Sequence, residues 1–213
     1  ATILARVNEL YRGNIYGKSE NINVEFQLAT TNEQGHKLAL PGVEYIPWGG
    51  NYPIDPYELM GGKTRAYAAY IWDPNEYINV MVYNFADEDG SDGITLGISH
   101  MPYVTKSASV LPGLNTVPET TLRKENLGYA YCSSINSLYI DEESTRYGAD
   151  KGKISYNYNS SDVIVTLAHE LGHYLGLHHT FTQEAQSQGY KMIDSCEDTD
   201  YCKDTPSYNR IAY

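Results

Sequence analysis

Apolar residues recur at helical spacing in the first dozen positions. Ile3, Leu4, Val7, Leu10 and Tyr11 fall on one stripe, which predicts an amphipathic backing helix over residues 3–12. The period then changes to two: Ile22, Val24, Phe26 and Leu28 alternate with Asn23, Glu25 and Gln27, the pattern of a half-buried strand over 22–29. From Pro41 to Gly62 the density of Pro and Gly predicts irregular surface structure, with one helical turn over Asp55 to Met60. A second helix is expected over 64–72, stopped by Asp73-Pro74. Residues 77–85, rich in Ile, Val, Tyr and Phe, predict a central strand, and Leu96 to Met101, closed by Pro102, a short one. Residues 103–134 read as loop with turns at Pro112-Gly113 and Pro118, followed by a strand over Ser137 to Asp141. A last helix has Val163, Ile164, Leu167, Leu171 and Leu175 as its buried face, Ser160 or Ser161 as N-cap and Asp162 in its first turn. No repeat or interdomain linker interrupts the chain.

That last helix carries the chemistry. Its continuation reads His169-Glu170-Leu171-Gly172-His173-Tyr174-Leu175-Gly176-Leu177-His178-His179. Residues four apart on a helix share a face, so His169 and His173 can reach one ion at ~2.0–2.1 Å. Gly176 is placed to end the helix in a left-handed conformation, which turns the chain and brings a third imidazole back. His178 competes for that role, and the Gly-x-x-His spacing favours His179. Three protein ligands leave the fourth position open, as a catalytic site requires and a closed structural site does not. Glu170, beside the first ligand, can reach a water held by the ion without ligating. Zinc lowers the pKa of such a water to roughly 7, and the glutamate takes its proton as a polarised carbonyl is attacked. Metal-assisted hydrolysis follows, with Glu170 as general base.

At these residues the chain is similar to the pappalysin family of metzincin zinc peptidases. The likeness is strong from Thr166 to Phe181 and continues at Asp204-Thr205-Pro206. Looser matches run through Asn23 to Ala29, Gly35 and Tyr77 to Val80. The resemblance implies an α/β (α+β) fold: a twisted mixed sheet, a backing helix and an active-site helix in an upper lobe, 1–176. A mostly irregular lower lobe starts at 177–213 and is expected to be incomplete. It implies a zinc endopeptidase acting on protein or peptide substrates, with the 96–101 strand as sheet edge above the cleft and His100 as a rim residue. It also implies calcium near the active site. Asp204 and Thr205 are the candidate ligands, in a loop that also holds Asp194, Glu197, Asp198 and Asp200; a solvated acidic loop is the equal alternative. Asp87 to Gly93, by contrast, reads as a solvated turn.

One departure stands out. Metzincins place a methionine-containing turn beneath the metal, with a tyrosine two residues later in pappalysins, whereas the methionine after His179 is Met192, in a different context. Either further chain supplies the floor of the site or this protein lacks it. The rival readings are therefore a catalytically silent zinc-containing surface binding protein, and an autolysed or zymogen fragment of the peptidase.

Composition adds bounds. The 213 residues suit one domain with a sizeable core, and a net charge of −12 argues against nucleic acid and anionic membrane as partners. No apolar run reaches the roughly 20 residues of a membrane span. Twenty-one tyrosines with abundant Asn, Ser and Gly suggest an extracytoplasmic protein. Of three cysteines, Cys132 reads as a packed small side chain. Cys196 and Cys202 lie where pappalysins have disulfide cysteines, and are open to pairing with each other, to pairing beyond Tyr213, or to remaining free.

Overall fold

The computed structural model describes residues 2–14, 18–62, 65–86, 94–106, 111–140, 162–186 and 189–213. The turn expected over Asp87 to Gly93 and the N-cap expected at Ser160 or Ser161 lie outside them. The chain opens, as the periodicity predicts, with helix α1 (Thr2–Tyr11). The single turn predicted at 55–60 is α2 (Pro56–Gly61), whose N-cap Asp55 accepts hydrogen bonds from the backbone N–H of Tyr57 and Glu58. Over 64–72 the chain forms a 3-10 helix, Arg65–Tyr70.

The sheet that positions the site has three strands: β1 (Val80–Tyr83), β2 (Gly97–Ser99) and β5 (Ser133–Asn136), in the order β1-β5-β2. β1 runs parallel to β5, pairing Val80 with Ser133 through Tyr83 with Asn136, and β2 runs antiparallel, pairing Gly97 with Ile135. Two-stranded pairs complete the description: β3 (Val104–Thr105) with β4 (Thr116–Val117), and the hairpin β6 (Gln183–Gln186) with β7 (Gly189–Met192).

Several strand expectations are corrected. The most apolar strand, read as 77–85 and central, is shorter and lies at one edge; the centre is β5, whose first two residues fall in the stretch read as mostly loop. Its polar residues are buried because each finds a partner: Tyr83 O–H donates to Ser134 Oγ at 3.0 Å, Ser133 and Ser99 hydroxyls meet at 2.7 Å, and Asn136 Nδ2 donates to Thr95 O at 3.1 Å. Satisfied in this way, small polar side chains cost little to bury, so hydropathy does not reveal the strand. Immediately after it, Ser137–Tyr139 forms a 3-10 turn where a strand was expected.

Residues 22–29 join no ladder, and Asn23 within them is left-handed, with φ +57°. Val24, Phe26 and Leu28 are half-buried and Glu25 and Gln27 exposed, as the alternation predicts, but Ile22, placed on the same face, is 51 % exposed. What satisfies this backbone is a side chain of α1: Asn8 Nδ2 donates to Phe26 O at 2.9 Å and Phe26 N donates to Asn8 Oδ1 at 2.8 Å. Tyr11 meets the Phe26 ring edge-on at 5.1 Å.

The helix that carries His169 and His173, α3 (Val163–Tyr174), is capped by Asp162, whose carboxylate accepts from Ile164 N at 2.8 Å, so Asp162 itself is the cap and not a first-turn residue after Ser160 or Ser161. Val163, Ile164 and Leu171 are buried with Val7 of α1 and Ile135 of β5, which fixes α3 between α1 and the sheet. Leu175, assigned to the buried face, is 42 % exposed because it is already the C-cap. On the sheet's other face a second cluster joins Leu59, Ile71, Tyr83, Phe85 and Tyr131 with the fully buried Cys132. No helix among the described residues is long and apolar enough to cross a membrane.

Candidate metal and catalytic site

The end of α3 sets the geometry. Gly176 has φ +102°, its N–H reaches His173 O at 2.8 Å, and Leu177 N–H reaches Gly172 O at 3.0 Å. This paired closure of the last turn needs a residue free of the Cβ penalty at positive φ. The reversed chain brings His179 back beside His169 and His173. The three Nε2 atoms form a triangle with sides of 3.0, 3.1 and 3.1 Å, and they are a group able to hold a metal ion. His178 points elsewhere. Its Nε2 lies against Gly113, where an added Cβ would come within 2.7 Å, and its ring meets that of Tyr201 at 5.1 Å.

The outer nitrogens decide the tautomers. His173 Nδ1 faces the Leu177 carbonyl at 2.6 Å and must donate to it, and His179 Nδ1 faces Gln183 Oε1 at 2.9 Å. With both protons directed outward, the Nε2 atoms of His173 and His179 meet as lone pairs 3.1 Å apart. Two lone pairs at that distance repel unless a cation lies between them. Burial pushes all three imidazoles toward the neutral, ligating form, His173 to about 4, with neighbouring imidazoles and Arg210 adding in the same sense. The donor set and spacing fit a zinc ion held by three nitrogens at ~2.0–2.1 Å.

His179 is supported from below. Phe181 stacks on it at 4.5 Å and 17°, Tyr208 meets Phe181 edge-on, and the Arg210 guanidinium covers the Phe181 ring at 4.8 Å. Met192, the methionine of this segment, is 43 % exposed in β7. The triad opens on a cleft of about 560 Å³, walled by Leu10 and Tyr11 of α1 and by Gly172, Leu177, Phe181 and Tyr208.

Glu170 lies against β2, where its carboxyl faces Gly97. It is 5 % exposed, and burial raises its carboxyl to about 8. His100, expected on the cleft rim, is instead a pin inside the upper lobe. Its ring lies between Tyr129 and Tyr131 at 5.1 and 4.8 Å, its Nε2 faces Met60 O at 2.9 Å, and Cys132 N donates to its Nδ1 at 3.2 Å. Among the described residues no group of three carboxylates converges, so nothing here supports calcium at Asp204 and Thr205. Asp194 and Asp200 have local partners: Asp194 accepts from Asn209 Nδ2 and Asp200 from Cys202 N. Cys196 and Cys202 are free thiols.

Gln183, Phe181 and Gly97 are the site residues that sequence reasoning missed. Gln183 and Gly97 carry no motif signal, whereas Phe181 stands within the run that resembles the family.

No curated protein and no solved structure matches the chain. Residues 124–212 match the family model of peptidase M43, pregnancy-associated plasma protein-A, a match that spans β5, α3 and the turn back to His179. That segment carries all three imidazoles and Glu170, and over it the chain is similar to the pappalysin family of metallopeptidases.

Proposed function

We propose that the protein is a zinc-dependent endopeptidase of metzincin type. The observation that carries this reading is the meeting of three Nε2 atoms at 3.0–3.1 Å, with the Nδ1 atoms of His173 and His179 facing outward acceptors. His169, His173 and His179 would hold the ion, with the fourth position open. When bound, zinc supplies a Lewis acid that polarises a carbonyl and brings the pKa of a water to roughly 7.

The chain's own residues do the rest. Glu170 takes the proton of the attacking water at its carboxylate and delivers it to the nitrogen of the departing amine. Leu177 O and Gln183 Oε1 hold the His173 and His179 rings in the tautomer that presents Nε2 inward. β2 is paired on one side only among the described residues. Its other edge offers backbone N–H and C=O groups to an extended peptide. The reading places the protein outside the cytoplasm on the strength of its composition, which fractionation of source cells tests.

Hydrolysis of a peptide library by the zinc-loaded protein, beside Glu170→Ala, tests the assignment. The variant should keep one zinc per chain and lose ~10²–10⁴-fold in rate. Equal rates would rule out Glu170 as the base. Absence of hydrolysis by the unaltered protein would favour a zinc-containing binding protein.

A further inference from the structure

Glu170 is held in place by shape. Among the described residues its buried carboxyl has no hydrogen-bond or ionic partner, and what it touches is the sheet edge. A Cβ built on Gly97 of β2 would lie 2.7 Å from Glu170 Cγ, 2.8 Å from Oε1 and 3.0 Å from Cδ. The carboxyl therefore occupies the volume that any other residue at 97 would fill.

Gly97 is not required by its backbone. It sits in regular antiparallel register opposite Ile135 and is absent from the positive-φ residues, unlike Gly113 and Gly176. Two residues along the same strand face, Ser99 carries a side chain and packs it against Ser133. The missing side chain at 97 is thus local to the point where α3 brings Glu170 against the strand.

We infer that Gly97 is the positioning residue for Glu170: by lacking a Cβ, it lets the carboxyl lie flat beneath the edge strand, between the helix that carries His169 and His173 and the strand on which an extended peptide would lie. This rests on the reading of Glu170 as proton carrier. With no donor to hold it, the carboxyl has only this clearance to define its place, and a Cβ there would rotate it away. Misplacement of a reacting group by about 1 Å can cost ~10²-fold in rate.

The test is Gly97→Ala in the zinc-loaded protein, read by crystallography and kinetics together. The Glu170 carboxyl should move by about 1 Å or more while the three imidazoles stay and zinc stoichiometry is unchanged, and kcat should fall ~10²-fold with little change in KM. In a Glu170→Asp background, whose shorter side chain leaves the space empty, Gly97→Ala should cost less than about threefold, since the two changes share one contact. A carboxyl that does not move, or rate losses that simply multiply in the double variant, would overturn the inference. Should Gly97→Ala fail to fold, Gly97→Ala/Glu170→Ala decides: recovery of the fold supports the contact, and continued failure shows that Gly97 serves only the packing of β2 on α3. If the unaltered protein hydrolyses nothing, the proposed chemistry fails, and the displaced carboxyl alone still reports whether Gly97 sets its place.

Discussion

The Nδ1–H of His179 is directed at Gln183 Oε1, 2.9 Å away, from a position where Gln183 is itself buried. This contact links the third imidazole to the first residue of the β6–β7 hairpin and fixes which nitrogen faces inward. Gln183→Ala should therefore leave the fold intact and weaken zinc binding by ~10–100-fold, as losses of such supporting contacts commonly do. Competition with a chelator of known affinity measures it; unchanged affinity would mean that Phe181 stacking alone orients the ring.

Removing one imidazole should be more severe. His173→Ala leaves two nitrogens, and full zinc by elemental analysis in that variant would contradict the ligand set. In the unaltered protein, zinc at 1,000 times its dissociation constant should stabilise the fold by about 4 kcal/mol, or roughly 8–16 °C in unfolding midpoint for a domain of this size. A chelator should reverse the rise, and His173→Ala should show none.

His100 makes a prediction about acid. Burial lowers its pKa below the ordinary 6.5, outweighing the hydrogen bonds to Cys132 and Met60 that act the other way. The folded state thus binds fewer protons than the unfolded chain in that window. Its contribution to stability is present above the unfolded pKa and is lost as pH falls from about 6.5 toward the folded value. His100→Gln should flatten this part of the stability-versus-pH curve relative to the unaltered protein, measured by urea unfolding with zinc held saturating. Identical slopes would show that His100 does not titrate on unfolding.

Asn8 offers a test of how the N-terminal segment is held. Its amide bonds both backbone groups of Phe26, the C=O at 2.9 Å and the N–H at 2.8 Å. Asn8→Ala strands a partly buried N–H and C=O, at about 1–3 kcal/mol each. The expected result is a lower unfolding midpoint and faster amide exchange at Phe26, while zinc affinity stays the same.

What the sequence alone determined is local. Helical stripes place α1 and α3, because a 3.6-residue repeat with a cap and a terminating glycine leaves few other solutions for the chain. The His-Glu-x-x-His spacing and Gly176 bring three imidazoles together for the same reason: every step from His169 to His179 is a helix turn or a tight reversal, set by neighbours within ten residues. Tertiary structure decided whatever depends on contacts between distant segments. β5 is central because Ser133, Ser134 and Asn136 find partners on β1, on β2 and at Thr95, and their polarity hides this from any hydropathy pattern. His100 is a pin because Met60 and Cys132 converge on it from two segments. Residues 22–29 stay outside the sheet, and at Phe26 both backbone groups are taken by Asn8 of α1. Gln183 and Gly97 belong to the site because folding places an amide beside one ring and an empty Cβ position beside one carboxyl. Neither requirement is written in a residue's own type, since a hydrogen bond or a clearance exists only once both partners are in place.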